Sequence, residues 1–310
     1  MLVEEELAKF SPDRDTLLTV GIFDGVHLGH KYLISKLLEE AKQKNLLSGV
    51  VTFRQHPEEL LPPRTRLTFI TNIEERISLL NQEKVNIVIP LSFTNELAQL
   101  GARQFISLLQ KYLKMRGLVI GSDSAIGKGR EGDANALRKL GQDMNISVTE
   151  VPPLLINGEV VSSTVIRKAL AAGDMIKVNE LAGRPFRLQG KVITGAGRGV
   201  GLGFPTANLG ISLGQTLPPD GVYATLAHIN GKAYQSMANI GKCPTFGGCE
   251  RTVEAYIIDY QGDLYERELK IDFMARLRDE KKFDTADALK KQVAEDVRQG
   301  RQILNFTDGK

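Results

Sequence analysis

The pattern of apolar residues in this chain changes near Arg184, and that change limits the possible folds more than any other feature. Before it, short apolar runs alternate with segments of helical period. The runs are Leu17–Phe23, Ser48–Phe53, Val85–Pro90, Leu118–Gly121 and Ile146–Val151. Between them, helices are predicted over Gly29–Lys44, with Leu33, Leu37 and Leu38 on one face, and over Ala102–Tyr112 and Asp133–Leu140. A further helix starts at a capping box, Thr71-Asn72-Ile73-Glu74, and runs to Glu83. Strands and helices alternating at these lengths predict an α/β domain around a doubly wound parallel sheet, with ligands beyond the carboxyl ends of the strands.

After Arg184 the helical period vanishes until about Thr285. Glycines multiply, and short apolar runs recur at Gly190–Ile193, Gly221–Ala227, Val253–Tyr260 and Glu268–Phe273. Turn signals separate them, such as Asn230-Gly231 and Gln261-Gly262-Asp263. This predicts a small antiparallel β-barrel closed by a helix over Thr285–Arg298. A chain of 310 residues can bury two separate cores. The expected domains are 1–183 and 184–310, joined at Gly183-Arg184-Pro185.

The formal charge is +3, with basic and acidic residues interspersed, so neither nucleic acid nor an anionic membrane is expected as a partner. The N-terminus, MLVEEELAKF, is acidic and does not read as a secretory signal, and no apolar run reaches membrane-spanning length. A cytoplasmic protein, monomeric or weakly self-associating, is expected. Cys243 and Cys249 stand six apart with no further Cys or His close by, a poor zinc site. Two free thiols are expected, although the spacing alone permits a disulfide.

The segment Thr19–Leu33, TVGIFDGVHLGHKYL, carries the clearest chemistry. Its apolar run ends at the turn pair Asp24-Gly25. His27 and His30, two of only four histidines in the chain, then lead into the predicted helix. Orphan backbone amides and the helix dipole attract an anion at such a mouth, and imidazole adds a donor that can be charged near neutral pH. Gly25 and Gly29 let a bulky phosphate approach the backbone. FDGVHLGH is similar to the signature of the HxGH nucleotidylyltransferases. The longer string GIFDGVHLGHKYLI resembles the adenylyltransferase half of bacterial bifunctional riboflavin kinase/FAD synthetases.

That resemblance implies a Rossmann-like FMN adenylyltransferase domain. In such a domain AMP passes from ATP without a covalent intermediate. His27 and His30 would be catalytic, steadying the triphosphate as pyrophosphate leaves, with Phe23, Asp24, Gly25, Gly29 and Asp123 around the nucleotide. Ser162–Arg167, SSTVIR, resembles the SSTxIR motif of the same superfamily. Ser163 and Thr164 can cap the following helix and can also meet phosphate, and Arg167 offers a fork of donors. His56-Pro57 resembles part of the family's TFxPHP segment, with a positional role as open as a catalytic one. The family's aromatic GxDFxFG loop reads Gly121-Ser122-Asp123-Ser124-Ala125-Ile126-Gly127 here, with Ser124 and Ile126 at the aromatic positions. If those aromatics hold the flavin, their loss weakens FMN binding.

In the second half, Gly195–Asn208 reads GAGRGVGLGFPTAN, which fits neither GxGxxG nor a P-loop. The choice lies between a glycine nest around phosphate and a hairpin without ligand. GFPTANL resembles the riboflavin kinase signature. PPDGVYA (Pro218–Ala224), NIGKCPTFGG (Asn239–Gly248) and the stretch from Asp263 to Phe283 also resemble that module. The resemblance implies ATP phosphates near Gly197, Gly199, Gly203, Phe204 and Pro205. Thr206 and Asn208 are two neutral oxygen donors on one side of an extended chain, which suits Mg²⁺ shared with ATP. By resemblance Glu254 is the base or orienting carboxylate for the hydroxyl. Spacing alone favours a solvent-facing residue of an alternating strand over that role.

The whole pattern implies two reactions with Mg²⁺ and small-molecule partners only. Riboflavin and ATP give FMN, and FMN and ATP then give FAD and pyrophosphate. Two alternatives are a monofunctional riboflavin kinase with a degraded first domain and a non-catalytic flavin-binding regulator. Retention of His27, His30, Arg167, Thr206, Asn208 and Glu254 argues against the regulator.

Overall fold

The computed structural model describes residues 3–55, 68–195, 199, 201, 203–212, 214–245 and 248–305, with backbone alone over 243–250. Close packing divides the chain into Met1–Ser163 and Thr164–Lys310.

In the first unit five parallel strands form a sheet: β1 (Thr16–Val20), β2 (Leu47–Phe53), β3 (Ile87–Leu91), β4 (Met115–Gly121) and β5 (Ser147–Val151). Their order is β3-β2-β1-β4-β5. Side chains alternate across the sheet, so neighbouring residues enter different cores. Leu18, Val51, Leu118 and Ile120 pack with Phe105, Ile106 and Leu109. Leu17, Val50 and Val119 pack with Ile34, Leu37, Leu79 and Leu80 on the other face. A parallel sheet covered on both faces is the doubly wound arrangement expected from the sequence.

The strand order reverses between β1 and β4, so the loops leaving these two neighbours flank the crevice where such sheets bind ligands. Both the Asp24–His30 turn and the Gly121–Gly127 loop leave at that point.

Several local expectations need correction. β1 ends at Val20, and Phe23 lies in the turn with φ of 52°, not in the strand. The first long helix, α2 (Leu28–Gln43; α1 is Val3–Ala8), buries Ile34, Leu37 and Ala41, and Leu33 and Leu38 of the expected face are partly buried against the same core. The next helix, α3 (Ile73–Gln82), is capped by Asn72, whose side chain accepts from the Glu75 amide at 2.8 Å. Thr71 does not cap it, because its hydroxyl is used elsewhere.

The second unit opens with helices Ser163–Ala172 and Met175–Ala182 at its start. A closed six-stranded barrel follows, from β8 (Phe186–Ile193), β9 (Thr206–Ile211), β10 (Gly221–Ile229), β11 (Lys232–Thr245), β12 (Gly248–Ile257) and β13 (Glu268–Arg278), after the small hairpin β6–β7 (Leu155–Ile156, Glu159–Val160) of the first unit. All its pairings are antiparallel. The strand expected over Val253–Tyr260 stops at Ile257, and Asp259 turns with φ of 58°. The closing helix Ala286–Asn305 is longer than expected and packs Leu304 against Ala224, Met237 and Ile258. Arg278 holds it through two bonds to the buried Asp296, at 2.9 and 2.7 Å.

Candidate functional site

The sheet unit holds its candidate histidines on a strained turn. Phe23 and Val26 have φ of 52° and 34°, in a region that side-chain-bearing residues rarely occupy. Such strain persists only when surrounding contacts over-determine it. Gly25, at φ of 80°, relieves it at one position. The contacts come from loops distant in sequence. The Asp24 carboxylate is buried and accepts from the Ile70 amide at 2.9 Å and the Thr71 amide at 3.2 Å. The Thr71 hydroxyl accepts from the Gly25 amide at 3.1 Å. Ser163 Oγ donates to the Asp24 carbonyl at 2.9 Å. Asp24, Gly25 and Ser163 are thus engaged in holding the turn.

Sequence reasoning missed Arg76, which is fully buried on α3. It donates to the carbonyls of Ile22 at 3.1 Å and Phe53 at 2.8 Å, and its guanidinium lies over the Phe69 ring. The only signal was a cation within an otherwise amphipathic helix, which reads as surface.

His27 caps α2, and its Nδ1 accepts from the His30 amide at 3.3 Å. The two imidazoles stack at 3.6 Å between centroids, and Phe23 leans on His30 at 5.1 Å. His27 is buried while His30 is half-exposed. Gly29 is required by close approach, since a side chain there would meet the Val161 carbonyl at 2.7 Å. The site is therefore an imidazole pair at a helix N-terminus and a sheet switch point, suited to a polyphosphate.

On the neighbouring loop Asp123 is exposed, and its carbonyl accepts from Arg130 at 2.9 Å. Ser124 Oγ accepts from the Gly121 amide at 3.0 Å. Ile126 is 7% exposed and packs in the core with Phe105. This position serves the core, so an aromatic replacement here would enter the core and not a ligand site. Thr164 and Arg167 lie on the helix Ser163–Ala172 of the second unit.

The barrel builds its site from strand register. β9 and β12 pair Asn208 with Glu254 and Thr206 with Tyr256. Val253 and Ala255 are buried, so alternation turns Glu254 to the opposite, half-buried face beside Asn208 and Thr206. Thr206 Oγ1 donates to Glu254 Oε2 at 3.3 Å. Phe204 meets Tyr256 edge to face at 5.2 Å. Gly195 and Gly199 lie against this face. A side chain at Gly195 would collide with Asn208, and one at Gly199 with the Phe204 carbonyl, while Gly203 has φ of 82°. Thr206, Asn208 and Glu254 are thus brought together, with Gly199, Gly203 and Phe204 adjoining them and Pro205 linking the two. Gly197, His56 and Pro57 lie outside the described residues, as do the side chains of Cys243 and Cys249.

Among the described residues no group of three or more His, Cys, Asp or Glu side chains could hold a metal alone. The neutral donors Thr206 and Asn208, with one carboxylate, suit instead a hard cation that takes most of its ligands from phosphate and water.

Comparison with known proteins agrees with this division. A family profile described as FAD synthetase matches residues 9–165, and one described as riboflavin kinase matches 182–304. The bifunctional riboflavin kinase/FMN adenylyltransferase of Escherichia coli K12 is 35% identical over 299 residues, 96% of this chain and 95% of that one. The protein of the same name from Bacillus subtilis is 33% identical, covering 95% and 92%. A crystal structure of a macrolide-efflux protein from Streptococcus pneumoniae superposes with a TM-score of 0.87 at 31% identity, covering 95% of this chain and 96% of that one. Among the described residues no helix is long and apolar enough to cross a membrane.

Proposed function

The chain belongs to the bifunctional riboflavin kinase/FMN adenylyltransferase family, and from that premise we propose how its two sites divide the chemistry. Its activities are phosphorylation of riboflavin by ATP and adenylylation of FMN to FAD.

In the sheet unit His27 and His30 would hold the ATP triphosphate at the mouth of α2. They would stabilise the negative charge that builds on pyrophosphate as it leaves, while the flavin phosphate attacks the α-phosphorus. Asp24, Gly25 and Ser163 keep the turn in shape, and Asp123 lies on the loop across the switch point. In the barrel Glu254 would accept the proton of the flavin's primary hydroxyl. Thr206 and Asn208 would hold Mg²⁺ with the ATP phosphates. When bound, that cation neutralises charge on the transferring phosphoryl group. Gly197, Gly199, Gly203, Phe204 and Pro205 would meet the ATP phosphates. The proposed domains are 1–183 and 184–310. The setting would be the cytoplasm, with small-molecule partners and no nucleic acid, in a monomer or weak homo-oligomer.

The stacked His27–His30 pair at the switch point carries the adenylyltransferase assignment against a kinase-only chain. Incubation with riboflavin, ATP and Mg²⁺, with FMN resolved from FAD, tests it. Both products are expected. FMN alone would leave a monofunctional kinase, and neither product would leave a flavin binder.

A further inference from the structure

Asn239 begins a stretch that resembles the kinase half of the family, yet none of the roles above falls on it. The barrel register places it in a defined position. β11 and β12 pair Asn239 with Glu254, and β12 and β9 pair Glu254 with Asn208. Its neighbours Ala238 and Ile240 are fully buried, as Val253 and Ala255 are on β12. Alternation therefore sends Asn239, Glu254 and Asn208 from the same face. Side chains directly opposite on antiparallel strands stand about 5 Å apart at Cβ. A carboxamide, a carboxylate and a second carboxamide thus form one row across three strands.

The rows on either side are different. One consists of Met237, Tyr256 and Thr206, and its Tyr256 is covered by Phe204 and by the closing-helix cluster. The other pairs Gly241 with Thr252, and Glu280 lies against Gly241. The polar row is left between them, and Asn239 itself is half-buried. Its side chain makes no hydrogen bond to another described residue, although it could donate two and accept two. A row of alternating amide and carboxylate groups matches a polyol laid across the strands, since each hydroxyl both donates and accepts. Riboflavin carries such a chain, ending in the hydroxyl that is phosphorylated.

We propose that Asn239 is a flavin-positioning residue of the kinase site, binding the hydroxylated chain on the side of Glu254 away from Asn208. This rests on the assignment of Glu254 to the kinase reaction. With Asn208 on the phosphate side and Asn239 on the flavin side, the carboxylate stands between the two substrates.

The test uses the full chain, with FMN-to-FAD conversion and thermal unfolding as controls for folding. Asn239→Ala should raise the KM for riboflavin about tenfold or more, with the KM for ATP within about twofold, the pattern of a lost substrate contact worth about 1.4 kcal/mol. Asn239→Asp keeps the side-chain size but removes both amide donors, and it should also raise the KM for riboflavin with the KM for ATP within about twofold. A riboflavin KM within about twofold of the parent in Asn239→Ala, or a KM for ATP that rises equally, would overturn the proposal. Near-normal phosphorylation by Glu254→Gln would instead remove the assignment on which it rests.

Discussion

In the sheet unit the proposed reactive side chains sit on a turn, and in the barrel they sit on strands. The turn must be held in strained dihedrals at Phe23 and Val26, and its supports come from Ile70, Thr71, Arg76 and Ser163. The strand site needs no unusual backbone at Glu254 or Asn208. Pairing β12 with β9 and alternating inward and outward residues is enough to bring them together. A turn site concentrates its identity in a few contiguous residues but depends on contacts made far away. A register site spreads its identity over several strands, and each strand places its residue simply by pairing.

The comparison breaks most sharply at Glu254. Changing it to Gln should lower riboflavin phosphorylation about a hundredfold or more, while FMN-to-FAD conversion stays at the parent rate. A variant that phosphorylates within about threefold of the parent would show that register has not placed the reactive group.

Gly29→Ala probes the opposite design. The added methyl would meet the Val161 carbonyl at 2.7 Å, so the turn and the helix mouth must shift. Displacement of catalytic groups by about 1 Å can cost about a hundredfold. FAD formation should fall by about tenfold or more, and riboflavin phosphorylation should not change.

Ile126→Phe should act through packing alone. Ile126 belongs to the core around Phe105, and overpacking of this kind costs about 1–3 kcal/mol. Thermal unfolding of the sheet unit should move down, with no tightening of FMN binding in a direct titration. A tighter FMN complex would show that the position faces ligand.

The smallest expected effect is that of Thr71→Val, which removes the hydroxyl that accepts from the Gly25 amide. The sheet unit should lose about 1 kcal/mol in denaturant unfolding, and the barrel should lose nothing. An equal loss in both would show that the units do not unfold separately.

The same contrast explains what could be read from the sequence. The contiguous string FDGVHLGH identified the turn, its histidines and its helix, because the chemistry and the geometry are written in adjacent residues. The clamp could not be read, because Asp24 and Thr71 lie 47 residues apart and Arg76 looks like a surface cation. The apparent capping box at Thr71 failed for the same reason. A tertiary partner, the Gly25 amide, took the hydroxyl, and Asn72 capped the helix instead. Ile126 looked like a missing aromatic in a ligand loop because its burial in the core is a tertiary fact. In the barrel, the periodic runs revealed strands and the change at Arg184 revealed their class. β11 was not recognised, since Ala233, Ser236 and Ala238 give it a weak apolar signal although Ser236 and Ala238 are fully buried. Without β11 the register that sets Asn239 opposite Glu254 had no partner strand.

One chain thus carries two separate reactions, and the proposed sites for them are built differently. The most direct test is product analysis of His30→Ala supplied with riboflavin, ATP and Mg²⁺. The account predicts riboflavin consumption at the parent rate, accumulation of FMN and no FAD. FAD formed at the parent rate would contradict the role of the stacked imidazoles, and loss of FMN formation in a variant that unfolds like the parent would contradict the separation of the two reactions.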